Sequence, residues 1–276
     1  MRQTQGSMVC PACGKLISVH ETRCPFCEAW RPGLYGWTPL LQRLFGRHLD
    51  LISLITTSCI VLYTAALLLQ PEAITNPSGL MSILSPGSRA LYQLGMTGGV
   101  AWSAGWWWTV LTAIYLHGSL LHIFFHVMWI RNLGPTVTDL YGPARAFILF
   151  EVGGVSGFLL SNFVTGNPTI GASGSIFGLL AALIVYGRRR GASIMTAQLV
   201  QWAVVLFVMG FLFPGVNNWA HLGGFVGGWG AAHFMIPNDV GQEGSSLHLL
   251  VLVFLAMTLI GVLLSFTRVT SILLAT

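Results

Sequence analysis

Charge is what this sequence has least of. Lys, Arg, Asp and Glu make up 8% of its 276 residues, against about 25% in ordinary soluble domains. Only eight residues are acidic. A soluble chain this poor in charge would lack the polar surface that keeps it dispersed, which places the chain in lipid. A continuous basic stripe is also missing. The net charge of +5 comes from residues clustered at the ends of apolar runs, and this argues against a nucleic-acid partner. Cysteine is scarce and unevenly spread. Four of the five lie within residues 10–27, and Cys59 lies alone in the first apolar run, where it reads as a small packing residue. No cleavable signal peptide is visible, so the polar, cysteine-bearing residues 1–48 read as a domain rather than a targeting segment.

What is present is hydrophobic. Apolar residues make up 54% of the chain, and the mean hydropathy is +0.73. The 33 glycines and 10 tryptophans suit close helix approach and headgroup anchoring respectively. Residues 31–48, rich in Pro and Gly, read as a linker. Seven spans follow, at about 49–69, 110–130, 144–164, 171–187, 193–213, 217–236 and 247–266, each near the length a ~30 Å hydrocarbon core requires. The loop 71–108 ends in Trp102, Trp106, Trp107 and Trp108, an interfacial signature compatible with short helices in the headgroup plane. With the N-terminus cytoplasmic, eleven of the thirteen basic residues fall inside and only Arg89 and Arg268 outside. The positive-inside rule therefore predicts N-in and C-out.

Residues 10–27 read CPACGKLISVHETRCPFC, two CxxC pairs separated by ten residues. Each pair forms a knuckle, and two knuckles supply four thiolates in a tetrahedron. The segment resembles a short zinc ribbon, with Cys10, Cys13, Cys24 and Cys27 as ligands to a structural zinc. So few residues cannot build an adequate core, so the metal must supply much of the folding energy. Two disulfides are the alternative, disfavoured in the cytoplasm. His20 reads as a bystander on the connecting loop. The ribbon reads as a docking module for a cytoplasmic partner that the sequence does not identify.

Polar residues inside a membrane are costly and suggest function. Three places stand out: LHGSLLHIFFH with His117, His122 and His126; IGASGSIFG around Ser173; and NNWAHLGGFVGG around His221. Gly174 and Gly178 share one helix face, and Gly223, Gly224, Gly227 and Gly228 make another just after His221. Two such faces can pack almost backbone to backbone, bringing the Ser173 hydroxyl within reach of the His221 imidazole, the base a serine nucleophile needs. Glu151, in the third span, reads as a member of a buried polar network.

The motifs GxSG at Gly171–Gly174, AHxxG at Ala220–Gly224 and HGSLLH at His117–His122 resemble the rhomboid family of intramembrane serine proteases. The resemblance covers roughly residues 49–236. It implies an all-α membrane fold, a six-helix bundle plus one C-terminal helix (6+1), here preceded by the ribbon. The implied organisation is 1–30 ribbon, 31–48 linker, 49–236 catalytic core, and 237–276 linker and additional helix. It implies Ser173 as nucleophile, His221 as general base and no cofactor for catalysis. His122 and the Ser173 N–H would serve the oxyanion, with His126 and Gly171 beside them. Phe177 would stack on the dyad histidine, and Gly174 and Gly224 would pack the dyad helices. The implied substrates are membrane proteins in the lipid bilayer, cut near the outer ends of their transmembrane helices. Three positions depart from the family pattern. His126 stands where Asn is usual, Thr109 follows Trp108 where Arg is usual, and Thr138 stands where Glu is common. Two other readings compete. One is a weak or inactive relative that binds membrane helices; the other is a membrane metal site built from His117, His122, His126 and His221.

Overall fold

The computed structural model describes residues 3–10, 13–39, 51–71, 82–213, 215–235, 237 and 243–275. The expected linker residues 40–48, the start of the first expected span at 49–50, and the loop residues 72–81 lie outside the described residues. The chain divides into two compact units, residues 1–54 and 55–276.

In the first unit, β1 (Ser7–Val9) and β2 (Leu16–Ser18) pair as an antiparallel hairpin with Met8 opposite Ile17. The strand period of two turns both side chains to the same face, where they pack with Val19 around Cys10 and Cys24. The folded segment runs past residue 30. Gln3 N–H donates to Gly36 O at 2.9 Å and Arg31 N–H to Thr22 O at 2.8 Å. Thr38 Oγ1 donates to Pro32 O at 2.8 Å. Residues 31–39 therefore belong to this unit, because their backbone groups are bonded back into it.

The helices are α1 (Leu51–Leu69), α2 (Ser88–Gln93), α3 (Gly99–Ser103), α4 (Thr109–Thr112, continued by a 3-10 turn at Ala113–Tyr115), α5 (Leu120–Tyr141), α6 (Pro143–Val164), α7 (Ser173–Arg189), α8 (Ser193–Leu212), α9 (Asn218–Phe234) and α10 (Ser245–Ala275). Among the described residues four, α1, α6, α8 and α10, are long and apolar enough to cross a membrane, and the bent pair Thr109–Tyr115 and Leu120–Tyr141 makes a fifth. The chain is an integral multi-pass membrane protein. The helices α7 and α9 have 17 residues each, shorter than α1, α6, α8 and α10, and are rich in glycine.

The span expected at 110–130 is not one helix. The chain bends by 93° between Tyr115 and Leu120. Leu116 takes an extended conformation, and Ser119 caps α5 by accepting the His122 N–H at 3.3 Å. A serine N-cap satisfies a donor that a continuous helix would have used internally. The long helix accordingly starts ten residues later than the hydropathy suggests.

The helices α6, α7 and α9 meet along glycine seams. A Cβ added at Gly178 would stand 2.9 Å from Gly153 Cα and 3.3 Å from Gly224 O, and one at Gly157 would stand 2.5 Å from Ala220 O. A Cβ at Gly224 would collide with the Gly174 carbonyl. Such close backbone approach replaces the hydrophobic driving force that lipid removes.

The end of the bundle that holds the start of α7 is tied by polar groups. Asn217 Nδ2 donates to Ser161 Oγ at 2.6 Å and to Thr169 Oγ1 at 3.0 Å. Asn162 Nδ2 donates to Thr97 Oγ1 at 3.0 Å, and Thr109 Oγ1 lies 3.0 Å from Thr97 Oγ1. Thr109, one of the departures from the family pattern, is thus a buried hydrogen-bonding residue. The tryptophan cluster is only partly exposed. Trp107 faces outward, whereas Trp106 and Trp108 are buried and stacked at 6.2 Å. Trp108 Nε1 donates to Ser265 Oγ on α10 at 3.0 Å, because α10 packs along the segment from α2 to α4 and covers these rings. Buried Glu151 accepts a short hydrogen bond from the Tyr115 hydroxyl, as a polar-network residue would.

Candidate functional site

Ser173 is the first residue of α7. Its N–H is one of the donors a helix start leaves without an intrahelical partner, and no hydrogen bond among the described residues uses it. The preceding Gly171 has φ +115, a left-handed conformation that favours glycine. A Cβ there would stand 2.7 Å from His122 Nε2 and 2.8 Å from His126 Cε1. The space beside Gly171 is therefore bounded by two imidazoles.

His221 lies in the first turn of α9 and stacks on Phe177, with ring centroids 4.5 Å apart and planes at 19°. Phe177 is four residues after Ser173, so both project from the same face of α7. The stack brings the His221 ring over the first turn of α7. Among the described residues no hydrogen bond joins Ser173 to His221. The His221 ring is oriented from its other side. Its Nδ1 lies 3.1 Å from Asn218 Oδ1. An amide oxygen only accepts, so this contact assigns the proton to Nδ1 and leaves Nε2 with the lone pair. Asn218 was not singled out in the sequence; its place three residues before His221 on one helix face is the signal that finds it.

His122 is oriented in the opposite sense. Gly118 N–H donates to His122 Nδ1 at 3.1 Å, which assigns the proton to Nε2, the atom beside Gly171. His126 is buried, and its Nδ1 accepts the Ala172 N–H at 3.2 Å. His117 Nε2 lies 3.0 Å from the same His126 Nδ1. The arrangement thus offers an unprotonated ring nitrogen on an imidazole stacked against the helix that Ser173 begins, and a His122 Nε2–H beside Gly171. Those are the parts that acyl transfer requires.

Residues 104–238 match the Rhomboid domain. The chain is 30% identical over 146 residues to Rhomboid protease GluP of Bacillus subtilis (strain 168), covering 52% of this chain and 29% of that protein. It is 29% identical over 149 residues to RHOMBOID-like protein 9, chloroplastic, of Arabidopsis thaliana, covering 51% and 34% respectively. These matches support the rhomboid family. The matched rhomboid segment contains the whole histidine and serine constellation. Another similar protein is Inactive RHOMBOID-like protein 8 of Arabidopsis thaliana, 27% identical over 155 residues, covering 52% of this chain and 43% of that one. The chain spans less than half the length of each of these three relatives.

The cysteines form a second site. All four sulfurs lie within 4.8 Å of one another, with Cys10 and Cys27 Sγ 3.8 Å apart and Cys13 and Cys24 Sγ 3.7 Å apart. A tetrahedron with zinc–sulfur bonds of about 2.3 Å has edges of about 3.8 Å, so the cluster is compatible with zinc. All are free thiols rather than disulfides. Burial raises the Cys24 thiol, but the Phe26 and Cys27 backbone N–H groups and the neighbouring thiols outweigh it and hold Cys24 down at about 7. Burial pushes Cys27 up to about 12. His20 is exposed and stands outside the cluster. Among the described residues the cysteines are the only such cluster. The competing reading of a membrane metal site built from His117, His122, His126 and His221 draws no support from the described residues, where these side chains do not make up such a group.

Proposed function

We propose that this chain is an intramembrane serine endopeptidase that cleaves transmembrane or membrane-anchored proteins. The observation that carries the reading is the stack of His221 on Phe177 beside Ser173 at a helix start, with Asn218 leaving His221 Nε2 free to accept a proton. In the proposed reaction Ser173 Oγ gives its proton to His221 Nε2 and attacks the scissile carbonyl carbon. The carbonyl π-electron pair moves to oxygen, where His122 Nε2–H and the Ser173 N–H stabilise it, in a subsite framed by His126 and Gly171. Collapse breaks the C–N bond and His221 returns the proton to the departing amine. Water then hydrolyses the acyl-enzyme by the same two proton transfers. Phe177 holds the imidazole plane, and Gly174 and Gly224 let α7 and α9 approach closely enough for the dyad to meet. Cys10, Cys13, Cys24 and Cys27 hold a structural zinc in a ribbon whose partner is cytoplasmic, and the C-terminus lies outside.

A second reading is a rhomboid-like protein that binds membrane helices with little or no hydrolysis. The missing hydrogen bond between Ser173 and His221 favours it, although catalytic hydrogen bonds are often formed only with substrate present. Labelling of the purified full chain in detergent by a fluorophosphonate probe separates the two. Labelling lost in both Ser173→Ala and His221→Ala is expected; a folded wild type that never labels supports the binding protein. Substrates are expected to carry a helix-destabilising stretch, since a scissile bond must unwind before attack. Cleavage unaffected by making that stretch strongly helical would refute this preference.

A further inference from the structure

The second position of the oxyanion subsite holds His126, and its contacts are those of an acceptor. We propose that His126 acts as a positioning residue for the turn Gly171–Ser173, with His117 as the partner that sets its hold. The kinetic consequences rest on the serine-hydrolase reading above; the hydrogen bonding does not.

Three contacts meet at this pair. His117 Nδ1 lies 3.2 Å from Tyr115 O, His117 Nε2 lies 3.0 Å from His126 Nδ1, and Ala172 N–H donates to His126 Nδ1 at 3.2 Å. A carbonyl only accepts, so the first contact needs a proton on His117 Nδ1. The third needs a bare lone pair on His126 Nδ1. A neutral His117 that satisfies the first then has a bare Nε2, which faces the bare Nδ1 of His126. Moving the His117 proton to Nε2 repairs that contact and breaks the one to Tyr115 O. Placing a proton on His126 Nδ1 breaks the one to Ala172. Two neutral imidazoles thus satisfy two of the three contacts and never all three.

An amide at position 126 removes the conflict. Asn carries a donor and an acceptor on one group. Its Nδ2 can donate to His117 Nε2 while its Oδ1 accepts the Ala172 N–H, with His117 Nδ1–H kept for Tyr115 O. The imidazole therefore holds the nucleophile turn through Ala172 with one contact of the set mismatched. Ala172 directly precedes Ser173, so this hold sets where the Ser173 N–H and hydroxyl lie. Small displacements of reacting groups are costly: about 1 Å can lower a rate 100-fold.

The Ala172 amide can be observed without any activity. Gly–Ala pairs occur three times in the chain, at Gly171–Ala172, Gly191–Ala192 and Gly230–Ala231. Full-length protein labelled with carbonyl-13C glycine and 15N alanine gives NMR signals from these pairs alone, and Ala172→Ser assigns the one of interest. The Ala172 signal is expected to shift in His126→Leu and to return towards its wild-type position in His126→Asn, with the other two signals unmoved. In parallel, fluorophosphonate labelling of Ser173 is expected to slow roughly 100-fold in His126→Leu and to run faster than wild type in His126→Asn. An Ala172 signal indifferent to His126→Leu overturns the proposal, as does one displaced equally by Leu and Asn. Failure of every form to label, wild type included, counts against the hydrolase reading, and the Ala172 signal still decides this one.

Discussion

At the scale of single residues, the two cysteine knuckles are the same turn built twice. Gly14 N–H donates to Cys10 O at 2.9 Å, and Glu28 N–H donates to Cys24 O at 2.9 Å. Both residues have positive φ, Gly14 at 71° and Glu28 at 58°. A left-handed conformation costs a non-glycine residue about 1–2 kcal/mol, whereas glycine gives back about 0.5–1 kcal/mol in backbone entropy. Glu28→Gly should therefore stabilise the ribbon by about 0.5–1 kcal/mol. On the zinc reading proposed above, folding and metal binding are one equilibrium in so small a unit, and this corresponds to zinc held about 2–5-fold more tightly. Competition against a chromophoric chelator measures it. A variant that releases zinc more readily than wild type would mean the Glu28 side chain contributes more than its backbone costs.

At the scale of elements, the site depends on how closely helices α7 and α9 approach. Gly224 faces the Gly174 carbonyl with no room for a methyl group. Overpacking usually costs about 1–3 kcal/mol where side chains can move aside; here the obstacle is backbone. Gly224→Val is expected to cost at least about 3 kcal/mol, read as a lower unfolding midpoint in detergent together with lost fluorophosphonate labelling. Gly230 lies on the same helix, and nothing stands within 4 Å of a Cβ built there. Gly230→Ala should keep or slightly raise the midpoint, by up to about 1 kcal/mol. Equal losses in both variants would show that helix propensity, and not the seam, sets the stability.

At the scale of the whole molecule, orientation has a direct test. The asymmetry of basic residues predicts a cytoplasmic N-terminus and an external C-terminus. In a bacterial host, alkaline phosphatase fused after Thr276 should be active, and green fluorescent protein fused at the same place should be dark. The reverse pattern would place Ser173 and His221 nearer the cytoplasmic face and change which end of a substrate helix they could reach.

Much of this protein was legible in its sequence because the relevant physics is local or one-dimensional. Low charge and long apolar runs identify a membrane protein without any contact being known. The CxxC spacing identifies a thiolate cluster because each knuckle is built within a few residues. The bounds of helices α6, α7, α8 and α9 followed from hydropathy to within a few residues for the same reason. Other features needed the tertiary structure. The 93° bend before Leu120 depends on a Ser119 cap that hydropathy does not weigh. Burial of Trp106 and Trp108 depends on α10, which arrives more than a hundred residues later in the chain. The ring-proton assignments of His122 and His221, and the mismatch at His126, depend on which partner each nitrogen meets. Composition determined the solvent this chain lives in, and spacing determined its cysteine cluster. Only packing decided the orientation of each imidazole, because hydrogen bonds are directional and their partners come from distant parts of the chain.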